Sequence, residues 1–470
     1  MIEFETDSRK VKPGQTFVAI KGFTVDGHDY IDSAIKNGAT RVIVEKDVDC
    51  DVETIKVDST KEYLKNELVN KYSSNFDDLK IIGVTGTNGK TTTCYLTHQF
   101  MNKLGLKSAY MGTIGFYYDD VKIDLPNTTP EILTVYKLIS EAKEHGCKYI
   151  VMEVSSHSLE EERIAGIKFD ETAFTNLTQD HLDYHKTMKN YLNAKLKIFR
   201  YLKENGVMVV NNDDPYAKEF IRDNSVTLGY KDDSDLKIEE ANYTPLNTNI
   251  KFSKDGKDYS VTTNLTSKFN VYNYLTCYYL LNKLGIEDEK IIEVTKDIYP
   301  PKGRCEIIKV NKGVAVIDYA HTPDAVEKVI NSFSELNGNR IITVIGCGGD
   351  RDRTKRPIMG DTACKLSDHV IFTNDNPRTE DPKQIMEDIT KDLKYDNYDI
   401  IYDREEAIHK AIDDMEENDI IMILGKGHEN YQIIGREKIH YDDHEVVNKW
   451  IEKHNCNKKV KKMEVKNGLQ

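Results

Sequence analysis

The 470-residue chain lacks any long apolar run. Its longest stretch without a formal charge, Phe269 to Asn282, is studded with Asn and Tyr and falls short of the ~20 apolar residues that span a bilayer. That excludes a membrane-spanning helix. The first residues, Met1 to Lys10, are acidic and polar, without the basic start and apolar run of a secretory signal. The expectation is a cytoplasmic protein. Cysteine is sparse and scattered, at positions 50, 94, 147, 277, 305, 347, 364 and 456, with no CxxC pair and no Cys/His group at zinc spacing. Reduced thiols follow. Nor is there an excess of positive charge. Lys and Arg total 65 against 79 Asp and Glu, and the net charge of -14 argues against a broad attraction to nucleic acid. Anionic small molecules stay open, because they need only a local cluster of donors.

What is present is a globular mixture, 39% hydrophobic and 31% charged, long enough for several cores. Residues 1–78 alternate short apolar runs (Thr16 to Ile20, Arg41 to Val44, Thr54 to Val57) with helix-like stretches, which predicts a small α/β domain. From residue 79 a buried strand, Ile81 to Val84, leads through a Gly/Thr-rich turn into a helix, Thr91 to Leu104. This opens a central domain over 79–305, closed by Pro300, Pro301 and Gly303. Strands at Val314 to Ile317, Ile341 to Ile345, His369 to Phe372 and Ile420 to Leu424 then alternate with helical stretches, so 306–455 reads as a parallel sheet with crossover helices. The tail, 456–470, is basic and reads as solvated. The fold class is α/β in three domains.

The segment Gly83 to Thr92 places Gly86, Thr87, Asn88, Gly89, Lys90, Thr91 and Thr92 between a strand and a helix. Backbone N–H groups at a helix start can wrap a phosphate, with Lys90 on the outer phosphates and the Thr91 hydroxyl in a Mg2+ shell. The usual first glycine of such a loop is here Val84. A carboxylate at the end of a neighbouring strand is needed for the metal, and Glu153 after Tyr149 to Met152 fits. Ser155, Ser156 and His157, then His181, Asp183 and His185, add a density of ligand-type side chains.

Taken together, GTNGKTT (86–92), MEVSSHSL (152–159), TNLTQDHLDYH (175–185), NAK (193–195), PKGRCE (301–306), DYAHTPD (318–324) and GGDRD (348–352) resemble the Mur ligases in order and spacing. Asp7 to Arg9 with Pro13 and Gly14, DNPR (375–378) and GKGHE (425–429) resemble the branch of that family that adds the third amino acid, meso-diaminopimelate, to UDP-N-acetylmuramoyl-L-Ala-D-Glu. The resemblance runs from about residue 5 to 450, and only six residues precede Asp7 where family members usually have a further strand and helix. It implies a UDP-binding domain, with either a misplaced start codon or a trimmed beginning, then a central ATPase and a C-terminal Rossmann-like domain for the amino acid.

The same resemblance implies site residues. ATP would be met by the 86–92 loop, Asn270, Asn273, Arg304 and Asp318, one Mg2+ by Thr91, Glu153 and His181, and a second Mg2+ by Lys195 as a carbamate. Lys90, Lys195 and His181 would be the catalytic set. The UDP-substrate would meet Ser8, Phe23, Thr24, Val25, Asn127, Thr128, Thr129, Ser155 and Arg163. Glu161 is left out, because a neutral glutamine can bind at its place. Independently, ligands of open parallel sheets bind beyond the carboxyl ends of the strands. Here the strands end at Asp318, Gly346, Asp375 and Gly425, which groups Arg351, Asp375, Asn376, Pro377, Arg378, Gly425 and Glu429 as the amino-acid site. Arginine beside carboxylates suits a zwitterion with an extra carboxylate. The implied activity is ATP-dependent amide ligation through an acyl phosphate, by a monomer. The competing readings are the L-lysine-adding ligase, a folylpolyglutamate synthase relative, and a P-loop nucleotide-dependent switch.

Overall fold

A computed structural model describes residues 2–22, 25–310, 312–334 and 340–454. Phe23, Thr24 and the basic tail at 456–470 lie outside the described residues. The chain forms two compact units, Met1–Asp235 with Leu275–Ile291, and Leu236–Tyr274 with Ile292–Gln470.

In the first unit, the strands Phe4–Glu5, Thr16–Val18, Arg41–Val44 and Glu53–Lys56 form a parallel sheet. The helix Thr60–Tyr72 follows, capped by Ser59 Oγ accepting from the Glu62 N–H. Its buried Leu64 and Leu68 join one apolar cluster with Ile2, Phe4, Tyr136 and Ile139, so the N-terminal sheet and the helix Ile132–Glu144 share a core. The larger sheet runs in the order Ser225–Gly229, Leu202–Asn211, Phe169–Phe174, Lys80–Thr85, Tyr149–Glu153 and Ser108–Gly112, all parallel. Gly115–Tyr118 and Val121–Ile123 extend it antiparallel. Lys80–Thr85 and Tyr149–Glu153 are neighbours whose carboxyl ends carry the glycine-rich loop and Glu153, the edge where open parallel sheets bind ligands. The antiparallel pair was not legible in the sequence, because its short runs of Gly and Tyr lack clear alternation.

In the second unit, Leu236–Tyr243, Thr248–Lys254 and Lys257–Thr263 form an antiparallel meander. A six-stranded sheet has the order Glu306–Val310, Gly313–Asp318, Ile420–Leu424, Ile341–Ile345, His369–Phe372, Tyr398–Ile400, parallel except for its first pair. Alternate residues feed separate cores, Val316 and Phe372 to one face, Ile317 and Ile371 to the other, as period-2 strands covered on both sides require. Arg404 and Asp443, both fully buried, pair at 2.8 Å, and Arg404 Nη2 also donates to the Leu424 carbonyl. That bond ties the covering helix Arg404–Asp413 to the strand end that opens the GKGHE loop. The seven described cysteines are free thiols, and no described helix is long and apolar enough to cross a membrane.

Glu171, in the strand Phe169–Phe174, is buried, and its Oε2 has no hydrogen-bond partner among the described residues. Burial, with Asp170 adding to it and Lys283 and Lys80 opposing, pushes its carboxyl from 4.5 up to about 9. The folded protein therefore holds a proton that the unfolded chain gives up, and stability falls as pH rises between those two values, by at most about 1.4 kcal/mol per pH unit. Glu171→Gln should flatten that slope and raise the unfolding midpoint more at pH 8 than at pH 5. Equal pH slopes for variant and parent in denaturant titrations would refute it.

Candidate active site

The strand Lys80–Thr85 delivers the chain into Gly86, whose φ of +148° is open only to glycine. A Cβ there would lie 1.9 Å from Thr175 Oγ1. That contact belongs to a clamp. Thr87 N–H donates to the Asn176 carbonyl at 2.8 Å, Asn88 N–H to Asn176 Oδ1 at 2.9 Å, and Thr175 Oγ1 to the Asn88 carbonyl at 2.6 Å. Two of the loop's N–H groups are therefore used to fix its shape. Anions bind at helix starts, and the N–H groups that open the helix Lys90–Lys103 could hold a phosphate. Gly89, with φ 87°, caps that helix. Lys90 Nζ lies back over the loop, donating to the carbonyls of Gly86 at 3.0 Å and Thr87 at 2.8 Å.

A second lysine reaches the same carbonyl. Lys195, in the helix Met188–Leu196, is buried, and its Nζ donates to Gly86 O at 2.6 Å. Burial first, and then the charge of Lys90, hold its amine well below the usual lysine range. The amine lies 4.5 Å from the ring centroid of Tyr191, whose hydroxyl is 3.2 Å from Thr87 Oγ1. Around this wall stand the histidines. His181, in a left-handed conformation, packs its ring 5.0 Å from that of His157, and His185 lies 5.1 Å from Tyr191 and bonds Ser156 Oγ at 2.9 Å. Burial lowers all three from their ordinary value.

Glu153 is fully buried with both oxygens engaged. Oε1 accepts from Tyr110 OH at 2.6 Å and Thr113 N–H at 2.8 Å, and Oε2 from Thr91 Oγ1 at 3.0 Å and Thr113 Oγ1 at 3.1 Å. Gly112 is required here, because a Cβ would sit 2.1 Å from Glu153 Oε1. Among the described residues no group of three or more His, Cys, Asp and Glu is arranged to hold a metal alone. A hydroxyl and a carboxylate side by side fit Mg2+, which takes oxygen ligands and completes its shell with water and substrate phosphates. The free amine of Lys195 does not fit a cation. Only its carbamate would.

A cavity of about 1010 Å3 in the same unit is lined by Ser8, Val25 and Arg163 among the expected residues, and also by Lys21, Lys61 and Glu161. Arg163 pairs with Glu161 at 2.9 Å and donates to the Thr129 carbonyl at 2.9 Å. Asn127, Thr128, Thr129 and Ser155 do not line the cavity. Thr129 Oγ1 donates to the Glu153 carbonyl at 2.8 Å, Ser155 N–H donates to Thr129 Oγ1 at 3.2 Å, and Thr128 Oγ1 lies 3.0 Å from Thr113 Oγ1. This segment connects the cavity wall to the buried carboxylate. Sequence reasoning missed Tyr110, Thr113 and Tyr191, whose types carry no signal apart from their contacts.

In the second unit, Asn273 Nδ2 donates to Asn270 Oδ1 at 2.9 Å. The Arg304 guanidinium lies 4.7 Å from the Tyr319 ring, with Nε lacking a partner among the described residues. Asp318 accepts from the N–H groups of Cys305 and Ala320, each at 2.8 Å, and burial raises it above its ordinary value. The DNPR loop is pinned by its own backbone. Arg378, left-handed at φ 52°, donates its N–H to Ile433 O at 3.0 Å, in the hairpin Tyr431–Ile434 with Glu437–His440, and Gly435 N–H returns to Arg378 O at 2.7 Å. Its Nη1 donates to Gly349 O at 2.9 Å. A Cβ on Gly348 would lie 2.9 Å from that Nη1 and 3.7 Å from Arg351 Cγ, so the two arginines flank one glycine. Arg351 itself is exposed and donates to the Asp350 carbonyl. Asp375, Asn376 and Pro377 are buried, Asn376 Nδ2 donates to Glu429 Oε2 at 2.9 Å, and a Cβ on Gly425 would meet Asp375 Oδ2 at 2.7 Å.

A glycine-rich loop backed by a buried carboxylate and a buried lysine, in a chain that also carries a second, largely parallel sheet, suits an ATP-dependent ligase. Three family models match successive segments: Mur ligase family, catalytic domain, over 4–75; Mur ligase middle domain over 84–281; and Mur ligase, glutamate ligase domain, over 303–427. The chain is 43% identical over 455 residues to UDP-N-acetylmuramoyl-L-alanyl-D-glutamate--2,6-diaminopimelate ligase of Clostridium perfringens, covering 94% of this chain and 93% of that one. It is 45% identical over 457 residues to the ligase of the same name from Fusobacterium nucleatum, with 95% and 93% covered. A solved structure of a ligase with that name aligns at a TM-score of 0.70 and 30% identity, over 96% of this chain and 95% of that one. The chain belongs to the Mur ligase family.

The clamp makes Gly86 testable. Gly86→Ala forces a methyl into Thr175 Oγ1 and a backbone conformation costing on the order of 1–3 kcal/mol. ATP should bind at least about 10-fold more weakly, the factor that 1.4 kcal/mol represents, with the circular dichroism spectrum kept. Unchanged affinity in calorimetric titration with Mg-ATP would show that the clamp does not shape the cradle.

Proposed function

We propose that this protein is the ATP-dependent ligase that adds meso-2,6-diaminopimelate to UDP-N-acetylmuramoyl-L-Ala-D-Glu in peptidoglycan precursor synthesis. It acts in the cytoplasm as a monomer, with a UDP-substrate domain over 1–78, an ATP domain over 79–305 and an amino-acid domain over 306–455. The observation that carries the reading is the joint placement of the phosphate loop, Lys90, Glu153 and the buried Lys195 in one unit whose cavity has room for a nucleotide sugar.

At neutral pH a carboxylate and an ammonium do not condense, so the carboxylate must first become an electrophile. The D-Glu γ-carboxylate takes the γ-phosphoryl of ATP, giving an acyl phosphate and ADP. The amine of the incoming amino acid then attacks the acyl carbon and phosphate leaves. Lys90 moves from the loop carbonyls to the phosphates and offsets the charge that builds on the transferring group. The helix N–H groups and Thr87 to Thr92 hold the phosphate chain, and we assign Asn270, Asn273, Arg304 and Asp318 to the rest of the nucleotide. Thr91, Glu153 and His181, and the Lys195 carbamate for a second ion, would hold Mg2+, which would supply positive charge to offset that of the phosphates. We assign the carbamate to Lys195, whose buried amine is disfavoured as a cation beside Lys90. Its neutral amine adds to the carbon of CO2 and loses a proton, turning a would-be cation beside Lys90 into an oxygen ligand. Arg163, Ser8, Val25 and Thr129, with Phe23 and Thr24, hold the UDP-sugar end.

The decisive assay is phosphate release with the UDP-dipeptide and a panel of amino acids. Release that needs both the dipeptide and diaminopimelate is expected. Release without them would make the protein a nucleotide switch, and a preference for lysine would make it the L-lysine-adding ligase. Lys195→Ala should be nearly inactive and partly restored by acetate or formate, which can occupy the carbamate's place. A free amine at Lys195 in active, Mg-loaded enzyme by mass spectrometry would remove the carbamate.

Arg378 is the selector. The far carboxylate of diaminopimelate can take two parallel hydrogen bonds from its guanidinium, whereas lysine presents an ammonium there. Losing such a desolvated pair costs on the order of 2 to 5 kcal/mol, roughly 30-fold to several thousandfold in kcat/KM. Arg378→Ala should show that loss for diaminopimelate with lysine use staying low. A diaminopimelate kcat/KM within about threefold of the parent would discard the assignment.

A further inference from the structure

We propose that Lys426 is a positioning residue for amino-acid selection, whose buried ammonium holds Glu429 and Asn376 so that one carboxylate edge is presented to the far ammonium of the substrate. The proposal rests on the diaminopimelate reading above.

Lys426 has 0% of its surface exposed, in the loop after the strand Ile420–Leu424. Two left-handed glycines, Gly425 at φ 112° and Gly427 at φ 53°, flank it. A Cβ on the first would lie 2.7 Å from Asp375 Oδ2, and one on the second 2.7 Å from Gly303 O. The turn that sends the lysine inward is therefore built on close backbone approach. Its Nζ donates to Glu429 Oε2 at 3.0 Å and to Asn376 Oδ1 at 3.3 Å, and lies 5.6 Å from the Tyr431 ring centroid.

These contacts set the orientation of the asparagine. Its Oδ1 receives the Lys426 amine and, at 2.9 Å, the Ile433 N–H, so its Nδ2 is left to donate to Glu429 Oε2 at 2.9 Å. Glu429 thus has one oxygen holding two donors. Oε1 meets only the Tyr431 hydroxyl, at 3.4 Å, among the described residues. A carboxylate satisfied on one oxygen and open on the other is oriented toward a further donor. Beside Arg378, whose backbone bonds Ile433 in the same hairpin, that donor is the ammonium on the carbon that bears the far carboxylate. Fully buried, Lys426 cannot meet the substrate, and it acts only through Glu429 and Asn376. A buried cation is costly without an anion, which keeps Glu429 turned inward.

The test uses the full-length enzyme with meso-diaminopimelate and with 2-aminopimelate, which keeps the far carboxylate but lacks the far ammonium. Lys426→Met should lower kcat/KM for diaminopimelate at least about 30-fold, mostly through KM. It should leave 2-aminopimelate within about threefold, read as kcat/KM or as a competitive Ki, with the KM for ATP and for the UDP-dipeptide unmoved. Lys426→Gln, which can still bond Glu429, should fall between parent and Lys426→Met. Equal losses on both amino acids, or none on diaminopimelate, would overturn the proposal. Failure of both variants to fold would make Lys426 a fold-holding residue and overturn it as well. A parent enzyme that prefers lysine, or uses neither compound, would instead bring down the substrate reading itself.

Discussion

Two lysine amines converge on one carbonyl oxygen. Gly86 O accepts from Lys195 at 2.6 Å and from Lys90 at 3.0 Å, and Lys90, only half-buried, also donates to the Thr87 carbonyl at 2.8 Å. Burial and the nearby like charge both disfavour the charged form of the deeper one, Lys195. One backbone position thereby gathers two chemically identical side chains in different surroundings, Lys195 buried and Lys90 half-buried. It can do so only because the Thr175–Asn176 clamp holds Gly86 in a conformation that no other residue would share.

The second unit applies the same device to a different end. Asp350 and Arg378 take positive φ beside glycines, Gly348 and Gly349, that leave no room for a Cβ. The hairpin fixes the Arg378 backbone through two hydrogen bonds, and the bond from Nη1 to the Gly349 carbonyl holds the guanidinium. Glu380 reinforces the loop from below by pairing with the fully buried Arg356, which holds its carboxyl down at about 2. The loop's rigidity is therefore electrostatic as well as steric.

What could be read from the residues follows from this arrangement. Buried parallel strands such as Ile341–Ile345 and Ile420–Leu424 announce themselves as unbroken apolar runs, and the glycines of 86–89 and 425–427 mark close approach in any fold. Glu153 was visible as a carboxylate ending a strand. The groups that make it useful were not, because Tyr110 and Thr113 come from another strand and its following turn, and their role exists only in three dimensions. The loop 127–129 likewise belongs between cavity and carboxylate, a position that local sequence does not encode. Lys426 reads as surface lysine in any one-dimensional scan, and only its burial reverses that.

Glu153 and Glu171 show how a site carboxylate differs from an ordinary buried one. They occupy strands on either side of Lys80–Thr85, and both are buried. Glu171 has an oxygen with no partner and is pushed to about 9, so it stays protonated and chemically silent in the working range. Glu153 has four donors aimed at its two oxygens from Thr91, Tyr110 and Thr113. Burial is common to both, so the arrangement of donors is what separates them. Those donors cost nothing at the moment of reaction, because the sheet and the loop hold them in place beforehand. A carboxylate surrounded in this way can exchange the Thr91 hydroxyl bond for shared coordination of a cation without reorganising its neighbours. Such economy of movement suits a cation site at the carboxyl edge of this sheet, where Thr91 and Glu153 meet.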